Sequence, residues 1–177
     1  MQITIAMDSF KGSMSSIEAG NAVKTGILQA LNDNNPTINV IPVADGGEGT
    51  IDALTYGKSF VKRTIEVTGP LGEKINASYI ITDDKTAIIE MAEAAGITLV
   101  PKDLRNPMLT TTFGVGELIK DALENDCQHF IIGIGGSATN DCGIGMLQAL
   151  GFNITDKNGA SVAFGATGLE VATSISN

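Results

Sequence analysis

The sequence predicts an α/β fold in which parallel strand–helix–strand units accompany a smaller antiparallel region. Short apolar runs at residues 3–6 and 38–44 enclose a segment with helical periodicity, which is the order of a parallel βαβ unit. Two strand-like runs on either side of the Gly-Pro-Leu-Gly turn at residues 69–72 predict an antiparallel pair instead. Strand and helix patterns alternate again after Pro107. The expected architecture is therefore mixed rather than purely parallel.

The first helix has a clear start in the sequence. Ser15 and Glu18 have the S-x-x-E spacing of a capping box, so the helix should begin there. Its apolar stripe consists of Gly20, Val23, Ile27 and Leu31. The strand that follows ends at Asp45, which completes the predicted parallel unit.

The later elements are predicted from the same patterns. A third strand-like run at residues 86–91 completes the antiparallel region. Beyond it we predict a helix at 116–124, a strand at 129–135, a helix at 140–150 and a strand at 152–155. Residues 159–177 have no period long enough to predict an element.

Composition excludes several classes of protein. The net charge is −9, and no basic stripe marks a nucleic-acid surface. The sequence has neither a basic leader nor an apolar run long enough to span a bilayer, so we expect a cytoplasmic protein without membrane contact. Cys127 and Cys142 do not have the spacing of zinc ligands.

The first candidate site is the glycine turn that follows the strand predicted at residues 129–135. Gly133, Gly135 and Ala138 satisfy the G-x-G-x-x-A pattern of dinucleotide-binding loops, and Asp156 lies where a ribose-binding acid is expected. However, Asp141 at the helix start is unfavourable beside a pyrophosphate unless a cation intervenes. A dinucleotide loop, another phosphate-binding loop and a plain corner therefore all remain open. In the plain corner, Thr139 or Asn140 would cap the helix.

The second candidate site is the segment VADGGEGT at residues 43–50. Asp45 ends a strand, at the sheet edge where open α/β folds bind ligands. Gly46 and Gly47 expose backbone amides, and Glu48 adds a second carboxylate. These groups suit Mg²⁺ and phosphate, because Mg²⁺ is usually held by one or two carboxylates together with substrate phosphates. The alternative is a capped loop with solvated acids.

The third candidate site lies between the first strand and the first helix. Lys11 and Ser13 stand just before a helix N-terminus, which is a common place for an anion. The alternative for Lys11 is a solvated surface lysine. If all three segments lie at one sheet edge, they combine a cation, hydroxyls, carboxylates and amides, which is the set that phosphoryl transfer requires.

Several unusual motifs resemble the bacterial type I glycerate kinase family. They occur in the same order as in the family and extend over nearly the whole chain. The motifs are DSFKGS at 8–13, VADGGEGT at 43–50, VTGPLG at 67–72, IEMA at 89–92, RNP at 105–107, TTTFGVGELI at 110–119 and GIGGSATND at 133–141. Met7 and Cys142 depart from the family pattern, which usually has proline and glycine there.

The resemblance implies ATP-dependent phosphorylation of D-glycerate with Mg²⁺. It also implies an incomplete two-domain kinase fold, with flavodoxin-like parallel βαβ units and a smaller mixed sheet. We predict a flavodoxin-like segment at 1–62, an antiparallel part of the second domain at 63–108 and βα units at 109–177. Because family members are longer, we expect an N-terminal portion that needs its missing C-terminal half as a partner.

The predicted site residues divide by role. Lys11, Ser13 and Arg105 would bind glycerate. Asp45, Glu48 and Asp141 would hold Mg²⁺ or orient the attacking hydroxyl, with Lys11 also counted among the catalytic residues. We favour Asp45 over Asp141 as the base. The phosphate-binding residues would be Gly46, Gly47, Gly135, Gly136, Ser137, Thr139 and Asn140.

Two other functions remain as alternatives. One is a dinucleotide-dependent oxidoreductase that uses the loop at residues 133–138. The other is a non-catalytic half-protein that only binds a ligand or another subunit. The sequence does not distinguish the 2-hydroxyl from the 3-hydroxyl of glycerate as the group that is phosphorylated.

Overall fold

The structure, a computed structural model, describes residues 1–10, 12–31 and 36–177. The chain forms two units, Met1–Lys58 and Ser59–Asn177. The first unit contains β1 (Gln2–Met7), α1 (Ser16–Leu31), β2 (Thr37–Pro42) and α2 (Thr50–Thr55). The second contains β3 (Phe60–Thr68), β4 (Lys74–Thr82), β5 (Thr86–Glu90), α3 (Ala92–Ala95), α4 (Phe113–Glu124), β6 (His129–Gly133), α5 (Ile144–Ala149), β7 (Asn153–Thr155), α6 (Gly165–Val171) and β8 (Ser174–Ser176). The predicted α/β class is confirmed.

In the first unit, β1 and β2 pair in parallel, and α1 connects them in the sequence. The capping box forms as predicted: the backbone N–H and the hydroxyl of Ser15 both donate to Glu18 Oε2 at 2.8 Å. The Glu18 backbone N–H donates in return to Ser15 Oγ at 3.2 Å. The bonds from Ser15 lower the pKa of the Glu18 carboxyl, and the bond from the Ser15 backbone N–H has the largest effect. The start of α1 is therefore set by local chemistry.

The second unit is built on a four-stranded sheet in the order β3-β4-β5-β6. β3, β4 and β5 form the predicted antiparallel meander, whereas β6 pairs with β5 in parallel. The segments predicted at 63–108 and 109–177 therefore contribute strands to one mixed sheet.

Helix α4 packs against one face of this sheet. Its buried apolar residues recur at the spacing of one helical face, namely Val115, Leu118, Ile119 and Ala122. The sheet supplies the other half of this core with side chains from β3, β4 and β5, namely Val67, Ala77, Tyr79, Ile81, Ala87 and Ile89. This core supports the loops that follow β5 and β6.

Two predictions for the end of the chain are wrong. The helix predicted at 140–150 begins only at Ile144, because Cys142 and Gly143 have φ of 50° and 77° and interrupt a right-handed helix. The tail predicted to lack regular elements contains α6 and β8. Both are short, and β8 pairs with β7 in a separate antiparallel sheet.

Among the described residues, no helix is both long enough and apolar enough to cross a bilayer.

Candidate functional site

The loop between β6 and α5 is held by backbone hydrogen bonds to the last residue of α3 and to the segment that follows it. Ile97 N–H donates to the Gly136 carbonyl at 2.8 Å, and Ala138 N–H donates to the Ala95 carbonyl at 2.8 Å. Gly136 has φ of 71°, a conformation that glycine adopts without a steric penalty. The loop thus has a defined course after the carboxyl end of β6.

Two hydroxyl groups lie close together in this loop. Ser137 Oγ and Thr139 Oγ1 are 2.8 Å apart, and Thr139 N–H donates to Ser137 Oγ at 3.0 Å. Thr110 anchors the same turn, because its hydroxyl donates to the Ala138 carbonyl at 2.8 Å. Ser137 and Thr139 line two neighbouring cavities of the second unit.

The smaller of these cavities, about 230 Å³, is lined in part by an arginine. Arg105 lines it together with Asn106, Ser137 and Thr139. Arg105 Nε donates to the Val100 carbonyl at 3.2 Å, and its Nη2 donates to the Ile97 carbonyl at 3.2 Å. The cavity therefore brings a predicted substrate-binding cation beside two predicted phosphate-binding hydroxyls. Such a set of donors suits a small anion.

The larger cavity, about 430 Å³, has a mainly apolar wall. That wall is formed by Met91, Val115, Ile132, Ile134 and Met146. The polar side of the cavity is formed by the loop, including Ser137, Thr139, Asn140 and Asp141. The predicted phosphate-binding residues Ser137 and Thr139 thus separate a cationic cavity from an apolar one.

Asp141 occupies a buried position rather than an open one. Its side chain is 1% exposed and accepts hydrogen bonds from Thr112 N–H at 2.9 Å and from the Thr112 hydroxyl. It also accepts from the N–H groups of Gly143, at 3.0 Å, and Gly145, at 3.3 Å. Both carboxylate oxygens of Asp141 thus accept hydrogen bonds that join the start of α4 to the start of α5. The predicted metal-binding and catalytic roles of Asp141 stay predictions.

In the first unit, the predicted turn after β2 is formed by two left-handed glycines. Gly46 and Gly49 have φ of 94° and 89°. Gly47 N–H donates to Asp45 Oδ1 at 3.0 Å, and the Thr50 hydroxyl donates to the Gly47 carbonyl at 2.7 Å. The exposed Asp45 carboxylate therefore belongs to the turn, since β2 ends at Pro42 and not at Asp45 as predicted.

A cavity of about 300 Å³ in the first unit contains two more of the predicted residues. Ser13 and Glu48 both line it, along with Ser15 and Asp52. Lys11, the predicted cation of this region, lies outside the described residues. Glu48 lines this cavity and Asp45 does not, so the pairing of Asp45 with Glu48 as ligands of Mg²⁺ stays a prediction. Among residues 1–10, 12–31 and 36–177, no group of three or more His, Cys, Asp or Glu side chains could hold a metal ion.

Sequence reasoning missed the role of the threonines before α4. Thr110, Thr111 and Thr112 are all buried, at 0%, 0% and 4% exposure. The Thr110 and Thr112 hydroxyls bond to the loop after β6, and the Thr111 hydroxyl accepts from Phe113 N–H at 3.2 Å. Three consecutive hydroxyl residues beside an apolar helix were a signal that could have identified them, because buried hydroxyls require partners.

The dinucleotide alternative does not fit the topology. A Rossmann fold requires the strand after the loop to lie in parallel beside β6. Instead, β7 pairs in an antiparallel manner with β8. Asp156 accepts hydrogen bonds from the N–H groups of Asn158 at 2.8 Å and Ala160 at 2.9 Å. These bonds lower the pKa of the Asp156 carboxyl, and the bond from Ala160 has the largest effect. Asp156 therefore closes its own turn rather than facing a ribose.

The fold and the site together define an α/β protein of two units, with a glycine-containing loop after a parallel strand of a mixed sheet. The sequence profile of the Glycerate kinase family matches residues 3–177, and the chain belongs to that family. The family resemblance of its motifs is thereby confirmed.

Individual relatives agree with this assignment. The chain is 49% identical over 176 residues to the glycerate 2-kinase of Escherichia coli K12, covering 99% of this chain and 46% of the relative. It is 48% identical over 178 residues to the glycerate kinase of Bacillus subtilis 168, covering 99% of this chain and 46% of that relative. A crystal structure assigned as glycerate kinase 2 from Salmonella typhimurium LT2 has a TM-score of 0.82 at 45% identity, covering 99% and 47%. The chain thus spans about half the length of the relatives it matches.

Proposed function

We propose that this chain provides the glycerate- and phosphate-binding part of an ATP-dependent glycerate kinase. The observation that carries the proposal is the cavity in which Arg105 lies beside Ser137 and Thr139. A guanidinium and two hydroxyls in one small cavity are suited to a carboxylate or a phosphoryl group. The family and the names of the relatives support glycerate as the acceptor.

In this proposal, Arg105 binds the carboxylate of D-glycerate. Its Nε and Nη2 donate to the Val100 and Ile97 carbonyls, so the guanidinium is oriented before the substrate arrives. Asn106 lines the same cavity and adds an amide group beside the cation. Orientation of the substrate supplies much of the rate gain in phosphoryl transfer, because little covalent chemistry is required of the protein.

The loop after β6 contributes groups for the phosphates of ATP. The amides of Gly135 and Gly136 and the Ser137 hydroxyl would contact phosphate oxygens, with Thr139 and Asn140 beside them. Backbone N–H groups are suited to this role, since they carry partial positive charge and need no rearrangement. Asp141 positions this loop through its bonds to Thr112, Gly143 and Gly145.

The first unit contributes the acid–base group. Asp45 would accept the proton of the attacking hydroxyl, as the catalytic aspartate does in other kinases. Lys11 and Ser13 would contact the substrate, and the amides of Gly46 and Gly47 would face phosphate. Asp45 and Glu48 would hold Mg²⁺, which neutralises phosphate charge when it is bound. We propose this activity for the chain together with polypeptide that corresponds to the part of the relatives it does not match.

The proposal is tested by a coupled assay of ADP release with D-glycerate and Mg-ATP. The chain is assayed alone and after co-expression with the segment of the E. coli relative that it does not match. Arg105→Ala should raise the KM for glycerate by about tenfold or more, because a charge-assisted hydrogen bond is lost. Lys102→Ala, which removes an exposed charge nearby, is the matched control. Absence of glycerate-dependent turnover from the co-expressed pair would refute the function, and an unchanged KM in Arg105→Ala would remove Arg105 from the site.

A further inference from the structure

Strand β6 lies at one end of the described sheet, next to β5 alone. An edge strand presents a row of outward N–H and C=O groups, and proteins usually protect such edges with charges, prolines or bulges. The sequence of β6, HFIIG, contains no acidic residue, lysine, arginine or proline. The β6 edge therefore lacks the charged residues and prolines that would discourage pairing with another strand.

Both faces of β6 carry apolar side chains, and the exposed His129 begins the strand on the same face as Ile131. Phe130 and Ile132 pack against the core beneath α4. On the other face, Ile80 pairs with Ile88 and Ile88 pairs with Ile131, so that the three form one cross-strand row. Ile80 and Ile88 are 2% and 3% exposed, whereas Ile131 is 44% exposed. A parallel strand with apolar side chains on both faces is typical of the interior of a sheet, not of its edge.

The apolar surface continues past the end of the strand. Ile134 is 74% exposed and lines the 430 Å³ cavity together with Ile132 and Met146. The opposite edge of the sheet differs, because β3 carries the charged residues Lys62, Arg63 and Glu66. The two edges are therefore unequal, and only the β6 edge has the character of a pairing surface.

We propose that the β6 edge binds a β-strand from the polypeptide that corresponds to the part of the relatives this chain does not match. The matched part is 46% of the E. coli relative and 47% of the Salmonella structure, so each contains further polypeptide of at least equal length. The added strand continues the Ile80–Ile88–Ile131 row and covers Ile134. This inference rests on family membership and does not depend on the proposed reaction.

The test measures association rather than catalysis. The chain is co-expressed with the segment of the E. coli relative that it does not match, and the purified material is sized by light scattering. We expect a one-to-one complex in which the β6 amides exchange hydrogen more slowly than in the chain alone. Failure to form a complex, or β6 amides that exchange equally fast in the complex and the free chain, would overturn the proposal. A homodimer of the chain paired through β6 would overturn it as well.

Variants locate the surface. Ile131→Lys and Ile134→Lys should each weaken the complex by about tenfold or more, because a charge would be buried at the new strand. Since both side chains are exposed in the chain alone, their substitution should leave its far-UV circular dichroism unchanged. Val61→Lys, at the opposite edge and 62% exposed, is the control and should not weaken the complex. Equal loss in all three variants would argue against β6 as the site. A complex without glycerate kinase activity would refute the proposed function and leave this inference intact.

Discussion

At the scale of single residues, Asp141 connects the start of α4 to the start of α5. Its carboxylate accepts hydrogen bonds from Thr112, Gly143 and Gly145 and is almost fully buried. The sequence predicts a functional acid at this position, but the side chains and amides around it are contributed by separate segments of the chain. Local spacing therefore identifies the residue but not the groups that its carboxylate contacts in the fold.

Replacing Asp141 with Asn should destabilise the protein by about 2 kcal/mol, because the new amide NH₂ would face N–H donors that lose their acceptor. The measurement is the midpoint of urea denaturation. Asp103→Asn, in an exposed turn, is the control and should leave the midpoint within error. If Asp141→Asn were as stable as the parent chain, the positioning role would be wrong and a role in ligand binding would regain support.

At the scale of elements, α4 depends on close contact with β3. A Cβ atom built on Gly114 would lie 2.1 Å from the Thr68 carbonyl oxygen, a backbone atom that cannot rotate away. The glycine thus allows the first turn of α4 to lie against the end of β3. The sequence predicts this helix only from residue 116, because the glycines at its start lower the local helix propensity. The contact with β3 compensates for that cost.

Gly114→Ala should destabilise the second unit by about 2 kcal/mol, since α4 must move away from the sheet. Gly26→Ala is the matched control within a helix, because a Cβ there meets no atom within 4 Å. That control should stabilise the protein by about 1 kcal/mol. Urea denaturation of both variants measures the two effects, and the same sign of change in both would contradict the packing argument.

At the scale of the whole molecule, an ion pair between Arg63 and Asp121 links the sheet of the second unit to α4. Arg63 donates to Asp121 through Nε at 2.8 Å and Nη2 at 3.0 Å, and the Tyr79 hydroxyl donates to Asp121 at 2.7 Å. The Arg63 bonds are the main cause of a lowered pKa of the Asp121 carboxyl, with Tyr79 contributing. Burial, together with Asp121, raises the pKa of the Tyr79 hydroxyl.

This pair makes stability depend on acid. A carboxyl whose pKa is lower in the folded state stabilises it above the ordinary value of 3.8, and that contribution is lost as the pH falls through the folded-state pKa. Asp121→Asn should therefore be less stable at neutral pH, and its unfolding midpoint should fall less steeply below pH 3.8 than that of the parent. Asp83→Asn, on the exposed β4–β5 turn, is the control. Parallel pH profiles for Asp121→Asn and the parent would contradict this assignment.

Elements whose signals are local could be predicted from the order of amino acids alone. The capping box of α1, the meander around Gly69 and the apolar face of α4 follow from periodicity and turn chemistry over a few residues. The unusual motifs likewise identified the family from the order of residues along the chain. The convergence of its three predicted segments on one site stays a prediction.

Contacts between residues far apart in the chain became known only from the folded structure. The pairing of β6 with β5, the burial of Asp141 against Thr112 and the cavity shared by Arg105 and Ser137 each join segments far apart in the chain. The short elements α5, α6 and β8 also owe their form to such contacts, since none is long enough to show a period or to be stable alone. Contacts of this kind are selected by packing and hydrogen bonding across the fold, and spacing along the sequence carries no record of them.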